Sequence, residues 1–255
     1  MLSNRQKEGV RRSGVARALA KSGYCSRSAA SKLVREGRVR LNGRVVHDPE
    51  KPVVLGEDSI EVDDQKLTLA NKVYLVMNKP RGIVATASDE KGRDTVYSLL
   101  SGSLPWVAPV GRLDKASEGL LLLTNDSQWG ARIASPEMHI EKTYHVQIAA
   151  VADERLIQRL TSGMRITDGD FLRAKRAAIV RVGKKNSWLE IVLDEGKNRQ
   201  IRRLLATQEI EVLRLIRIAI GPLRLGELPK GKVREVTRDE KAALDRVAVS
   251  SNAKS

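Results

Sequence analysis

Four consecutive leucines, Leu120 to Leu123, most constrain this chain. A strand turns alternate side chains to opposite faces, so a run with no polar member reads as a strand buried in the core. It is fed by the loop Gly111-Arg112-Leu113-Asp114-Lys115-Ala116-Ser117-Glu118. A carboxylate held just before a buried strand is rigid and partly desolvated, which a nucleophile or base needs. The competing reading is a surface loop in which Asp114 pairs with Lys115 or Arg112.

The elements around this strand are mixed. Val73 to Met77 reads as a strand ending in the turn Asn78-Lys79-Pro80-Arg81-Gly82, and Thr143 to Ile148 alternates as a second. Asp153 to Leu160 has helical spacing, an Asp cap and Gly163 beyond its end. Trp188 to Leu193 reads as a strand, Arg199 to Thr207 as a helix with Ile201, Leu204 and Leu205 inward, and Leu213 to Ile220 as another strand. Strands and helices without strict alternation predict an α+β fold with a mainly antiparallel sheet.

The first part of the chain differs in charge. Residues 1–44 hold twelve Lys and Arg against two acids, whereas residues 45–66 hold seven acids. Helices are expected from Val15 to Ser22 and after a Ser26 or Ser28 cap, followed by a hairpin turning at Asn42-Gly43. A basic helix and hairpin backed by an acidic edge suit a surface that faces phosphates. The expected boundaries are a basic flexible tail over 1–13, the small module over 14–66, a linker over 67–72, the larger domain over 73–245 and a flexible tail over 246–255.

Over the whole chain, 46 Lys and Arg against 31 Asp and Glu give a net charge of +15, so a nucleic acid is the expected partner. Aromatics at 3% disfavour single-strand stacking platforms. A single cysteine, Cys25, excludes an intramolecular disulfide and multi-cysteine zinc or iron–sulfur sites. There is no Walker A run, G-x-G-x-x-G, H-E-x-x-H or G-x-S-x-G, so no metal and no nucleotide cofactor is expected. No apolar run approaches the ~20 residues of a membrane span and no secretory h-region opens the chain, so a soluble cytoplasmic protein is expected.

Two further stretches carry chemistry. In Glu195 to Leu204, a helix would set Arg199, Arg202 and Arg203 at i, i+3 and i+4 on one face. One such arginine could hold a carboxylate ionised while the others bind phosphates. Tyr144 lies in mid-strand beside charged residues, although a core tyrosine is the commoner arrangement.

At these residues the chain resembles a family of ribosomal pseudouridine synthases, type A of the small subunit together with types B, E and F of the large one. Residues 15–62 resemble an S4 RNA-binding domain. Residues 73–240 resemble the synthase catalytic domain, through Asn78-Lys79-Pro80-x-Gly82, Gly111-Arg112-Leu113-Asp114, Lys142-Thr143-Tyr144, Glu195-Gly196-x-Asn198-Arg199-Gln200-Ile201-Arg202-Arg203 and Gly221-Pro222-Leu223 in order. The resemblance implies that Asp114 is the catalytic nucleophile or base, that Tyr144 packs on the uracil and that Arg202 pairs with Asp114. It implies that Arg112 fills the space left by a flipped uridine, with Asn78, Lys79, Arg199 and Arg203 also meeting RNA. In the small module Arg27, Lys32, Arg35, Arg38, Arg40 and Arg44 are the expected phosphate contacts. The implied activity is site-specific conversion of uridine to pseudouridine in 23S or 16S rRNA, free or in a pre-ribosomal particle, by a cofactor-free monomer that binds no membrane. Two other classes share parts of this pattern: a non-catalytic ribosome-assembly factor, and a hydrolase of glycosidic bonds, which usually needs two facing carboxylates.

Overall fold

The computed structural model describes residues 12–86, 93–100, 102, 104–166 and 169–250. The chain forms two compact units. The first holds the chain through Val73 together with Gly102–Ala108 and Asn125–Ser127; the second holds the rest.

In the first unit, helices Val15–Lys21 and Arg27–Arg35 precede a four-stranded sheet. Its order is Arg44–Val45, Val39–Leu41, Ile60–Val62, Gln65–Lys66. Ser26 caps the second helix, its hydroxyl accepting from the Ala29 N–H at 3.1 Å. Asn42 and Gly43 sit at φ 50° and 77°, as a two-residue hairpin turn requires. Val15, Leu19, Val34, Val39 and Ile60 share the core.

Structure extends past the expected boundaries on both sides. Of the expected N-terminal tail, residues 1–11 lie outside the described residues, while Ser13–Gly14 pairs with Pro52–Val53. The expected linker is tied down: the Leu67 N–H donates to the Ile60 carbonyl and the Ala70 N–H to the Ser22 carbonyl. At the other end, helix Arg238–Ser250 overrides the tail expected from 246. Its apolar stripe is too short to stand out in the sequence, and burial of Leu244 and Ala248 in the core holds it. Residues 251–255 lie outside the described residues.

The second unit is built on a mixed sheet, so the α+β expectation holds. Its spatial order is Arg176–Val182, Ser187–Leu193, Lys142–Ile148, Val212–Ile220, Glu118–Thr124, Tyr74–Lys79, Val233–Glu235. Every neighbouring pair in that order is antiparallel except Val212–Ile220 with Glu118–Thr124, which run parallel. All four leucines from Leu120 to Leu123 are fully buried, at a gain of about 2 kcal/mol each. Gly119 is required by the parallel register: it lies opposite Arg217 at φ 100°, and a Cβ there would collide with the Arg217 backbone. Asp153 caps helix Glu154–Ser162 by accepting from the Leu156 N–H at 2.8 Å, and Gly163 ends it, both as the sequence predicts. Among the described residues no helix is long and apolar enough to cross a membrane.

Candidate active site

A cavity of about 400 Å³ opens in the second unit. This falls in the range of pockets that hold a small ligand, roughly 300–1,000 Å³. Its wall takes Arg112, Leu113 and Asp114 from the loop before the leucine strand, Lys142 and Tyr144 from Lys142–Ile148, and Arg217 from Val212–Ile220. Lys197, Arg199 and Arg202 complete it from the turn and helix after Ser187–Leu193. Asp114 is the only carboxylate among the described residues of that wall.

The loop carrying Asp114 is fixed through its own backbone. Leu113 is buried and anchors it. The Ser117 N–H donates to the Asp114 carbonyl at 3.0 Å, and the Gly82 N–H donates to the Lys115 carbonyl at 2.8 Å. Arg202 Nη2 donates to the Ala116 carbonyl at 3.2 Å. Arg217 donates from Nη1 to the Arg112 carbonyl at 3.3 Å and from Nε to the Leu120 carbonyl at 2.8 Å. Two arginines therefore brace the loop before and after the aspartate, which lines the cavity. Rigid placement of a reacting group is worth a large part of a catalytic barrier.

Arg202 thus does not pair directly with Asp114. Its Nη1 and Nη2 go to the Val212 and Ala116 carbonyls, and the aspartate reaches it through charge attraction alone. Burial holds its guanidinium below the usual arginine value; the neighbouring Arg199 adds to this, and Asp114 opposes it. Its Nε is buried without a partner, as is Nη2 of Arg217.

The three arginines expected on one helical face part company. Arg199 is the residue just before helix Gln200–Ala206, in the left-handed region at φ 49°, and its carbonyl accepts from the Arg203 N–H at 2.9 Å. Arg199 and Arg202 reach the cavity, whereas Arg203 pairs with Asp170 at 3.0 Å and donates to the Asn198 carbonyl.

Asn78 and Lys79 are also corrected. Asn78 is buried and donates to the Leu228 carbonyl at 2.7 Å. Lys79 is fully buried and donates to the Pro80 and Ile83 carbonyls at 3.0 and 2.8 Å. The Lys79 bonds lie within the turn whose Gly82 N–H holds the Asp114 loop, whereas Asn78 ties its strand to Leu228. Burial pulls the Lys79 ammonium down to about 8, against the attraction of Asp114 and Glu118.

Beside it, Glu118 is buried and accepts from Nε and Nη2 of Arg214 at 3.0 and 3.1 Å and from Lys230. Burial raises its pKa, but the Arg214 and Lys230 bonds outweigh burial and hold the carboxyl below its ordinary value. Arg217 is the functional side chain that sequence reasoning misses. Its signal is a charge inside the apolar strand Leu213-Arg214-Leu215-Ile216-Arg217-Ile218-Ala219-Ile220.

In the first unit, Arg27 pairs with Glu50 at 3.0 Å, Lys32 with Glu36 at 3.8 Å, Arg38 with Asp63 at 2.6 Å and Arg40 with Asp64 at 3.2 Å. Arg35 and Arg44 are exposed and make no ion pair among the described residues. The acidic edge therefore belongs to the basic surface itself.

A family model described as RNA pseudouridylate synthase matches residues 73–207, and an S4 domain model matches residues 15–59. An "Uncharacterized RNA pseudouridine synthase" of Aquifex aeolicus (strain VF5) is 38% identical over 89% of this chain and 91% of its own length. The "Ribosomal large subunit pseudouridine synthase B" of Bacillus subtilis (strain 168) is 35% identical over 90% of this chain and 94% of its own. A solved structure titled "Crystal structure of pseudouridylate synthase" superposes with a TM-score of 0.64 at 30% identity, covering 91% of this chain and 99% of that one.

Proposed function

Since the chain belongs to the RNA pseudouridine synthases, we propose that it isomerises a specific uridine of ribosomal RNA, with Asp114 as the reacting carboxylate. The observation that carries the assignment is the placement of Asp114 as the lone carboxylate among the described residues on the wall of a cationic cavity that Tyr144 and Arg202 also line. The name of the Bacillus relative favours large-subunit RNA as the target.

In this reading Asp114 serves as nucleophile or base. The N1–C1′ bond breaks, the uracil turns, and C5 bonds to C1′. The hydrogen on C5 leaves as a proton and N1 gains one, so the reaction balances without an oxidant or reductant. Tyr144 packs on the uracil. Arg202 keeps the Asp114 loop in place through the Ala116 carbonyl and attracts the carboxylate charge. A stacked base cannot reach Asp114, so the uridine flips at a cost of about a few kcal/mol, and Arg112 occupies the vacated space. Phosphate contacts offset that cost, those in the S4-like unit coming from Arg27, Lys32, Arg35, Arg38, Arg40 and Arg44. The protein acts as a cytoplasmic monomer on rRNA or a pre-ribosomal particle.

Tritium release tests the reading. 23S and 16S transcripts labelled at uridine C5 are incubated separately with the wild type and with Asp114→Asn. Release from the 23S transcript by the wild type alone is expected. No release from either transcript or from pre-ribosomal particles, with RNA binding intact, would sink the proposal and leave a binding factor.

A further inference from the structure

Among the described residues the cavity wall carries six cations, Arg112, Lys142, Lys197, Arg199, Arg202 and Arg217, against the single carboxylate of Asp114. Lys197 is paired with Glu195 at 3.7 Å and donates to the Phe171 carbonyl. The other five make no ion pair among the described residues. A neutral uracil leaves this imbalance as it is; an anion relieves it.

The donors show the same shortage. Arg202 Nε and Arg217 Nη2 are buried N–H groups without an acceptor, and Arg217 as a whole is 5% exposed. Leaving such donors unpaired costs roughly 1–3 kcal/mol each, a cost that an acceptor reaching either of them would relieve. Lys142 stands two residues from Tyr144 on the same strand, which puts both on one face, and Arg217 is the cross-strand partner of Tyr144. Burial and the nearby Arg217 both press the Lys142 ammonium towards its neutral form, with Asp194 opposing, a repulsion that an anion would remove.

We propose that Lys142, Arg217 and Arg202 form a phosphate subsite beside Tyr144, holding a backbone phosphate that flanks the target uridine. A phosphodiester supplies one negative charge and two free oxygens, and an arginine fork matches that geometry. The proposal rests on the synthase reading and adds which part of the substrate these inner cations recognise: the enzyme would grip the nucleotide by its phosphate as well as its base.

Calorimetric titration of the full-length protein with uridine 3′,5′-bisphosphate and with uridine tests this. The wild type is expected to bind the bisphosphate about tenfold or more tighter than uridine. In Lys142→Met that advantage should fall to about threefold or less while uridine binding stays unchanged. Arg217→Lys should show the same loss; because Arg217 also braces the Asp114 loop, Lys142→Met carries the test if that variant does not fold. Equal wild-type binding of the two compounds, or a full advantage retained in Lys142→Met, overturns the subsite. Inorganic phosphate binding as tightly as the bisphosphate also overturns it. Tritium release judges the synthase reading separately, so release without phosphate preference would sink the subsite alone.

Discussion

The S4-like surface and the cavity are both basic, but their charges are arranged differently. On the small unit, four of the six arginines and lysines expected to meet RNA are paired with acids of the same unit. In the cavity one cation of six has such a partner among the described residues. Exposed pairs are worth only about 0–1 kcal/mol, so the small unit can exchange its acids for phosphates at little cost. In the cavity Arg112, Lys197 and Arg199 are also exposed, whereas Lys142 and Arg202 are half-buried and Arg217 is buried, so these three cannot draw on solvent in the same way. The lesson is that a count of positive residues points to a nucleic-acid binder, whereas burial together with the lack of an acidic partner sets the inner cavity cations apart from the basic surface.

The sharpest way to break the comparison is at Asp114. Asp114→Asn should lower single-turnover pseudouridine formation by ~10²–10⁴-fold or more while rRNA affinity changes little, because the small unit still supplies its phosphate contacts. A matched loss of affinity would mean that the cavity, rather than the basic surface, does most of the binding.

A second test uses the buried Lys79. Its folded value of about 8 lies below its ordinary 10.5, so the unfolded chain holds that proton more tightly. Stability from this group is therefore lowest below pH 8 and rises as pH climbs to 10.5. Urea unfolding should show the wild type gaining on the order of 3 kcal/mol relative to Lys79→Met across that window. A flat difference would mean that Lys79 is hydrated.

Glu118→Gln should cost about 2 kcal/mol in the same assay, since it leaves Arg214 and Lys230 facing a neutral amide; their partial exposure keeps the loss below that of a fully buried pair. The smallest effect is expected at the surface. Arg35→Ala with Arg44→Ala should leave stability within about 0.5 kcal/mol and reduce the salt dependence of rRNA binding by about one to two phosphate equivalents. Arg38→Ala, which first frees Asp63, should weaken binding as well; no effect from any of the three would move RNA binding off this face.

Much of this is legible locally. The Asn42-Gly43 turn and the Asp153 and Gly163 helix ends follow from short-range backbone chemistry, and each stands where the sequence puts it, while of the two caps the sequence allows, Ser26 and Ser28, the structure uses Ser26. Asp114 can be singled out because an apolar run fixes the strand beside it. Helix Arg238–Ser250 is hidden in the sequence because its stability comes from Leu244 and Ala248 meeting the core rather than from its own pattern. The arginine cluster is only partly legible because Arg199 and Arg202 reach the cavity while Arg203 is drawn to Asp170, a partner 33 residues away in the chain.

By itself the sequence determined the mixed fold class, the family resemblance and the buried strand next to an aspartate, all of which rest on residue type, order and local spacing. Only the tertiary structure decided which charges are hidden. Lys79 and Arg217 look like surface residues in the sequence, yet both are buried, Arg217 on the cavity wall. Their burial follows from long-range pairing: the parallel register that sets Arg217 opposite Gly119 joins segments nearly a hundred residues apart. Local propensity carries no record of that pairing, and the balance of charge inside the cavity depends on it.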